Sequence, residues 1–208
     1  MSQRARWSMS NRFTASCNDI VRADRVRWDQ RYRERQPGTA FRPDALLSEH
    51  RALLDGRGRA LDVAAGTADN ALFLASLGFD AYAVDISIEG LRIGSRTAQQ
   101  GGLRLSAIVA DLDQYPLPDA WFSVIVVIRY LNRDLFARLV RALVPDGLLF
   151  YKTFNTNRER EHPGFNARYL LQPGELVQSF PGFRTIATND GSHIEADTTY
   201  WIGVKLPE

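Results

Sequence analysis

The chain has 208 residues, 45% of them hydrophobic, which suffices for one domain with a buried core and is too little for two full domains. No run approaches the ~18 consecutive apolar residues of a membrane span, so we expect no membrane association. The single cysteine, Cys17, excludes a disulfide framework within the chain and a cysteine-based zinc site. It fits a reducing compartment, and we expect a cytoplasmic protein.

The net charge of +2 is unevenly distributed along the chain. Residues 1–35 hold nine arginines and four acidic residues, whereas the rest of the chain holds 17 basic and 20 acidic residues. The mildly acidic body argues against a nucleic acid partner. We predict a disordered basic leader over 1–20, with a transit peptide as the alternative, because this segment is rich in arginine and serine. The three histidines are far apart in sequence, so no metal site is expected.

Two short helices are predicted ahead of the first strand. Apolar residues at helical spacing over 21–35 predict an amphipathic helix with Trp28 on its apolar face. A second helix is predicted over Asp44–Leu54, where leucines face inward. We interpret residues 21–56 as a helical lid on a single domain that spans 21–208.

From residue 59 onward, short apolar strands alternate with helices. The predicted strands cover 59–64, 80–85, 103–110, 122–128 and 148–154, and the predicted helices cover 67–77, 87–99 and 132–144. The run Phe122–Ile128 has no polar alternation, which is typical of a strand buried on both faces. Two further strands, over 182–188 and 194–205, flank the hairpin signal Asp190-Gly191. The expected fold class is α/β, a doubly wound, mostly parallel seven-stranded sheet that ends in an antiparallel β-hairpin.

Ligands of doubly wound sheets bind at the carboxyl ends of the strands. The first predicted strand leads into small residues from Ala64 to Ala68, which let a ligand approach the backbone. Gly66 is the single glycine among them, so the segment does not form the GxGxxG pattern that cradles a pyrophosphate. A tight strand-to-helix turn remains an alternative interpretation of this segment.

Acidic residues end the next two strands. Asp85 follows Asp62 by 23 residues, and a carboxylate at this place can accept hydrogen bonds from ribose hydroxyls. Asp111 and Leu112 come after the third strand, where a side-chain acceptor and a backbone N–H can contact the edge of an adenine. Each acid alone is also interpretable as a helix cap or a loop residue. Three acids at three successive strand ends together favour a ligand that contains adenosine.

These segments resemble the class I S-adenosylmethionine-dependent methyltransferases, of the small tellurite-resistance/thiopurine-like type. The resemblance runs from Trp28 to Lys205 and rests on WDQRY, LDVAAGTADNALFLASLG, AVDIS, ADLDQYPLP, VPDGLLFYKTF and YLLQPGEL. It implies a Rossmann-like methyltransferase fold, S-adenosylmethionine (SAM) as the cofactor, and methyl transfer to a small molecule.

The resemblance also implies roles by position. Asp62 would order the first loop, Asp85 would hold the ribose, and Ile86 would pack on the adenine. The residues assigned to the cofactor are Tyr32, Asp62, Ala64, Ala65, Gly66, Asp85, Ile86, Asp111, Leu112 and Ile128. Trp28 and Tyr32 are expected to close the pocket from the lid.

The chain departs from the family pattern at two positions. Ala68 stands where the family usually has glycine. Its methyl group costs little if the φ of residue 68 is negative, but it could crowd the cofactor carboxylate. Lys152 stands where family members often carry glutamate. Because of both departures, a protein that binds the cofactor without catalysing methyl transfer remains an alternative hypothesis. Ile128-Arg129-Tyr130-Leu131 also lacks the (Asn/Asp)-Pro-Pro-(Tyr/Phe) pattern, which disfavours N-methylation of bases or glutamine.

The acceptor side of the site is less defined by the sequence. Its candidate residues are His162, Arg129, Tyr130, Arg133, Lys152 and Arg168. Clustered arginines favour a small anionic acceptor, such as a thiolate or a chalcogen oxyanion, which needs no dedicated general base. The alternatives are an ion pair for Lys152, a helix cap for Arg133 and a surface position for His162. We interpret residues 155–172 as a lid loop. Methylation of RNA or protein, tethered by the leader, is a further hypothesis, and the sequence leaves the acceptor and the oligomeric state open.

Overall fold

The computed structural model describes residues 23–34, 40–190 and 196–207. Within these ranges seven strands form one sheet in the order β3-β2-β1-β4-β5-β7-β6. The strands are β1 (Arg59–Val63), β2 (Asp80–Asp85), β3 (Leu105–Val109), β4 (Phe122–Ile128), β5 (Leu143–Phe154), β6 (Phe183–Thr188) and β7 (Thr198–Lys205). Strands β1 to β5 are parallel, and β7 runs antiparallel to both β5 and β6. The predicted α/β fold with its terminal antiparallel hairpin is confirmed.

Helices cover the sheet. In the described ranges they are α1 (Ala23–Arg33), α2 (Ala45–Glu49), α3 (Asp69–Ser76), α4 (Ile88–Gln100), α5 (Phe136–Ala142), α6 (Arg158–Glu161) and α7 (Glu175–Ser179). Helix α4 begins where predicted, because the Ser87 side chain accepts a hydrogen bond from the Gly90 N–H. Gly78 follows α3 with φ of 108°, a conformation that glycine adopts without strain. None of the helices described is long and apolar enough to span a bilayer.

Strand β4 lies at the centre of the sheet and is apolar on both faces. Ile125 and Val127 belong to one buried cluster, whereas Val124 and Val126 belong to another. Because alternate residues of a strand face opposite sides, each side of β4 contributes to a separate hydrophobic core. This segment therefore lacks polar alternation because both of its faces are buried, as the sequence predicted.

The terminal hairpin is anchored by Trp201 on β7. Its ring is fully buried and stacks on Phe180, with ring centroids 5.0 Å apart. Its Nε1–H donates a hydrogen bond of 2.9 Å to Thr185 Oγ1 on β6. A Cβ added at Gly203 would lie 2.1 Å from the Trp201 ring, so glycine is needed beside the indole.

Several helix boundaries differ from the predictions. The helix predicted over 44–54 is α2 followed by a 3-10 turn at Arg51–Leu53, because the backbone leaves helical geometry at His50. The helix predicted over 67–77 begins at Asp69, since Ala68 before it is left-handed with φ of 58°.

The helix predicted over 132–144 is likewise shorter than expected. It consists of a 3-10 turn at Arg133–Leu135 and then α5, and Leu143 already pairs with β4. The loop over 155–172 contains α6 and a 3-10 turn at Ala167–Tyr169. The leader predicted over 1–20 and the Gly191 of the hairpin signal lie outside the described residues.

Candidate functional site

A cleft of about 1260 Å³ lies at the carboxyl ends of the five parallel strands. Its floor is formed by residues that end or follow these strands, namely Ala64, Ala65, Gly66, Asp85, Ile86, Asp111, Leu112, Ile128, Arg129, Tyr130 and Lys152. Helix α1 covers it with Trp28 and Tyr32, and residues 42–45 form another part of the wall. Nine of the ten residues assigned to the cofactor therefore line one cleft, and Asp62 does not.

Asp62 lies under the first loop rather than in the cleft. It is buried, and its carboxylate accepts hydrogen bonds from the Ala71 N–H at 3.1 Å and from the Asn70 side-chain amide at 3.4 Å. Burial raises the pKa of Asp62 to about 7, although both hydrogen bonds lower it. The carboxyl group thus joins β1 to the start of α3 and fixes the loop between them.

That loop makes a sharp turn through left-handed residues. Ala64, Gly66 and Ala68 have φ of 55°, 56° and 58°. A left-handed conformation costs a non-glycine residue ~1–2 kcal/mol, and such conformations concentrate at ligand sites. The turn keeps the backbone of residues 64–66 in the wall of the cleft.

Ala68 does not crowd the cleft, contrary to the expectation from the sequence. It is fully buried and does not line the cleft. Its methyl group faces α4, where a Cβ added at Gly94 would lie 2.9 Å from the Ala68 Cβ. The left-handed φ of residue 68 turns the methyl group into the helix–helix contact and away from the ligand side.

Asp85 is a buried carboxylate in the wall of the cleft. Its Oδ2 accepts a hydrogen bond of 2.7 Å from the Gly66 N–H, and its Oδ1 accepts one of 2.7 Å from the Ser87 N–H. Burial raises the pKa of Asp85, hydrogen bonds from the backbone N–H groups of Ser87, Gly66 and Ile86 lower it, and the nearby charge of Asp29 raises it. Since each carboxylate oxygen has two lone pairs, Asp85 can still accept hydrogen bonds from a ligand in the cleft.

Helix α1, for which the sequence predicts a lid role, is attached to the rest of the structure through Asp29, which the sequence analysis missed. Asp29 is buried, and its Oδ1 accepts hydrogen bonds from Ser87 Oγ at 2.6 Å and from the Glu89 N–H at 3.2 Å. Arg33 pairs with the Glu89 carboxylate at 3.3 Å. The only sequence signal was an acid within WDQRY, on a helix that is otherwise largely exposed.

Tyr32 lies directly over the glycine of the first loop. A Cβ added at Gly66 would be 2.4 Å from the Tyr32 hydroxyl oxygen, so the absence of a side chain at residue 66 makes room for the phenol. Tyr32 stacks on Trp28 with ring centroids 6.0 Å apart. The expectation that these two aromatic residues cover the pocket agrees with their place in its wall.

The opposite end of the cleft is formed by Ile86, Asp111 and Leu112. Ile86 is half-buried, and the Asp111 carboxylate accepts a hydrogen bond of 3.1 Å from the Asp113 N–H. Leu112 is buried, and its carbonyl accepts a hydrogen bond of 2.7 Å from Arg138 on α5. Arg138, which also contacts the Tyr115 carbonyl, is a second residue that sequence reasoning missed.

Five of the six acceptor candidates line the cleft, and His162 does not. His162 is exposed and follows α6. Lys152 Nζ pairs with Asp44 at 2.8 Å, which agrees with the ion-pair alternative. The Arg133 guanidinium donates to the Glu175 carboxylate at 2.6 and 2.9 Å. The same guanidinium also donates to the carbonyls of Arg168 and Leu170, at 2.8 and 3.0 Å.

Comparison with known proteins gives a family match over the middle of the chain. Residues 60–147 match the family model of a methyltransferase domain. This segment runs from β1 into β5 and includes Asp62, Asp85 and Asp111, but neither α1 nor the terminal hairpin. A curated relative, the demethylmenaquinone methyltransferase of Renibacterium salmoninarum, is 26% identical over 139 residues, or 64% of this chain. The chain spans about half the length of that relative, 54%.

Solved structures share the fold at low sequence identity. TehB from Haemophilus influenzae matches with a TM-score of 0.67 at 15% identity, covering 86% of this chain and 67% of that one. Magnesium protoporphyrin IX methyltransferase (ChlM) from Synechocystis PCC 6803, solved with bound S-adenosylhomocysteine (SAH), matches with a TM-score of 0.58 at 18% identity. That match covers 78% of this chain and 80% of the other. The fold is therefore the Rossmann-like methyltransferase fold that the sequence predicted.

Proposed function

We propose that the protein is a SAM-dependent methyltransferase that acts on a small anionic or nucleophilic acceptor in the cytoplasm. The observation that carries this proposal is the joint geometry of Gly66 and Asp85. The side-chain-free backbone of residue 66 lies against the buried carboxylate of residue 85, at the ends of β1 and β2. The pair lies within the segment that matches a methyltransferase domain.

The residues of the cleft fit SAM along its length. Asp85 has lone pairs left for the two hydroxyls of a ribose, as carboxylates at this strand end have in nucleotide-binding sheets. Ile86 offers an apolar surface for the adenine, and Asp111 with Leu112 offers hydrogen-bonding groups for its edge. The backbone of residues 64–66 and the Tyr32 phenol form the wall for the methionine part.

When bound, SAM would supply a methyl group attached to a positively charged sulfur. A lone pair of the acceptor would form a bond to the methyl carbon while the carbon–sulfur bond breaks, and SAH would be the product. The chain positions the two partners and excludes water, which are the main sources of rate for such a displacement. Trp28 and Tyr32 of helix α1 line the cleft above the first loop, where they would exclude water from bound SAM. We assign no general base, because His162 lies outside the cleft and an acceptor that arrives as an anion needs none.

The two departures from the family pattern that suggested a non-catalytic protein, Ala68 and Lys152, no longer favour it. Ala68 lies away from the cleft, and the Lys152 ammonium group forms an ion pair with the Asp44 carboxylate. The tellurite-resistance-like type rests on the sequence resemblance, and it places thiols and chalcogen oxyanions among the acceptors to test. The RNA or protein alternative depends on the leader, which lies outside the described residues.

The test is SAH formation by the purified chain with SAM and an acceptor panel of thiols, selenite, tellurite and aromatic acids. We expect SAH release with at least one acceptor, and its loss in Asp85→Ala. Asp119→Ala removes the same charge at an exposed position outside the cleft and is expected to keep full activity. Binding of SAM without SAH formation from any acceptor would instead favour the non-catalytic alternative.

A further inference from the structure

The strand ends carry opposite charges on the two sides of β1. Asp85 and Asp111 end or follow β2 and β3, whereas Arg129 and Lys152 lie at the ends of β4 and β5. In the sheet order, the acids lie on one side of β1 and the cations on the other. The cleft therefore has an acidic half, where the proposed cofactor is assigned, and a basic half that faces the acceptor.

The cations of the basic half differ in their partners. Lys152 is paired with Asp44, and Arg133 is held by Glu175 and two carbonyl groups. The guanidinium groups of Arg129 and Arg168 make no hydrogen bond or ion pair with any residue in the described ranges. Both line the cleft, so they are the cations of the basic half that remain for a ligand, whereas Arg31 and Arg42 line the cleft from helix α1 and from residues 42–45.

Arg129 is held in the cleft by an unusual backbone. Its φ is 58°, and its N–H donates a hydrogen bond of 2.7 Å to the Lys152 carbonyl. In an extended strand, successive side chains would point to opposite faces. Here the left-handed residue breaks that alternation, and the consecutive residues Ile128, Arg129 and Tyr130 all line the cleft. The backbone carries a strain of ~1–2 kcal/mol at a residue whose side chain has no partner in the described chain.

Aromatic surface accompanies the two free guanidinium groups. Tyr130 adjoins Arg129 and is half-buried, and Tyr169 adjoins Arg168 and is 43% exposed. Both line the cleft, and the Tyr169 phenol is near enough to influence the ionisation of Tyr130. Burial raises the pKa of Tyr130, so its phenol stays neutral at physiological pH. Each arginine is therefore followed in the chain by an aromatic ring that lines the same cleft.

We propose that the methyl acceptor is an aromatic carboxylic acid, whose carboxylate is bound by Arg129 and Arg168 and whose ring contacts Tyr130 and Tyr169. With SAM bound, a carboxylate oxygen would form the bond to the methyl carbon while the carbon–sulfur bond breaks, which leaves a methyl ester and SAH. This inference rests on the proposed function and names its substrate class. Guanidinium groups match the planar carboxylate, and aromatic rings pack favourably in offset or edge-to-face geometry. The cleft of about 1260 Å³ exceeds the ~300–1,000 Å³ of a single small-molecule pocket, which leaves room for a cofactor and such an acceptor together.

The test measures binding of three probes to the SAH-loaded full chain by calorimetry and ligand-observed NMR. The probes are 4-hydroxybenzoate, its neutral amide 4-hydroxybenzamide, and inorganic phosphate. We expect 4-hydroxybenzoate to bind, and the amide and phosphate to bind at least about tenfold more weakly. Arg129→Gln and Arg168→Gln should each weaken 4-hydroxybenzoate binding about tenfold, with SAH binding unchanged. Arg184→Gln, which removes a charge from the exposed edge of β6, should change neither.

The outcomes separate this inference from the proposed function. If SAH binds but phosphate or the amide binds as tightly as 4-hydroxybenzoate, the substrate class is wrong and the methyltransferase proposal stands. The same holds if 4-hydroxybenzoate does not bind, or if neither arginine variant weakens it. If the wild-type chain does not bind SAH, both proposals are overturned.

Discussion

Asp62 is a buried carboxyl group whose protonation is coupled to folding. Its pKa is raised from an ordinary value near 3.8 to about 7 in the folded chain, chiefly by burial. The folded state therefore binds more protons than the unfolded state between these two values. By linkage, the contribution of Asp62 to stability is full below about pH 4 and is lost as the pH rises through about 7.

We predict that Asp62→Asn flattens the pH dependence of stability between pH 4 and 7. The wild type should lose free energy of unfolding across this window with a slope of up to ~1.4 kcal/mol per pH unit, because one proton is released on unfolding. Urea denaturation at pH 4, 5, 6 and 7 measures both slopes. Equal slopes for the two proteins would show that Asp62 titrates normally.

Substitutions at Gly66 and Ala68 test how the first loop contributes to SAH affinity. Gly66→Ala places a methyl group 2.4 Å from the Tyr32 hydroxyl in a left-handed residue, so we expect SAH affinity to fall about tenfold or more. Ala68→Gly removes a methyl group that lies away from the cleft, so SAH affinity should stay within about twofold. Isothermal calorimetry on both variants measures this. A marked gain of affinity in Ala68→Gly would mean that the alanine does obstruct the cofactor.

At the scale of elements, the lid helix α1 is held at the beginning of α4. The carboxylate of Asp29 contacts Ser87 and the Glu89 N–H, close to the positive end of a 13-residue helix. The same Ser87 donates its N–H to Asp85. Asp29 is therefore a positioning residue, which connects the lid to the carboxylate assigned to the ribose.

We predict that Asp29→Ala weakens SAH binding about tenfold, because the lid loses two hydrogen bonds in a buried place. Asp29→Asn keeps an acceptor oxygen and should restore most of the affinity. Hydrogen exchange of residues 23–34 should be faster in Asp29→Ala, a change that local damage elsewhere would not produce. Glu34→Ala, which removes an exposed acid directly after the same helix and outside the cleft, is the control and should behave as the wild type. Unchanged exchange and affinity in Asp29→Ala would remove Asp29 from this role.

At the scale of the whole molecule, the terminal hairpin completes the sheet on the side of β5. Trp201 and Gly203 determine how β7 packs there, because the indole occupies the space where a side chain of residue 203 would lie. This contact lies outside the segment that matches the methyltransferase domain.

We predict that Gly203→Ala lowers the free energy of unfolding by ~1–3 kcal/mol, since the added methyl group would lie 2.1 Å from the buried Trp201 ring. Gly182→Ala adds a methyl group with no atom within 4 Å and is the matched control. Chemical denaturation with tryptophan fluorescence compares both. Equal stability of the two variants would show that β7 shifts without cost.

The sequence was sufficient for features that depend on strand order along the chain. Asp85 and Asp111 could be assigned to one cleft because the carboxyl ends of parallel strands meet at one edge of the sheet. Contacts between distant segments could not be predicted in this way. Asp29 contacts Ser87 across 58 residues, and Lys152 contacts Asp44 across 108, and nothing in the local pattern specifies such pairs. The direction of the Ala68 methyl group was missed for a related reason, since it depends on a positive φ that alanine rarely adopts.

The central claim is that Asp85 and the first loop bind SAM. Calorimetry of the wild type, Asp85→Ala and Asp119→Ala with SAH measures it most directly. We expect SAH to bind the wild type and Asp119→Ala with equal affinity, and to bind Asp85→Ala at least about tenfold more weakly, because two ribose hydroxyls lose a charged acceptor. Failure of the wild type to bind SAH, or equal binding by all three proteins, would contradict the assignment of this cleft.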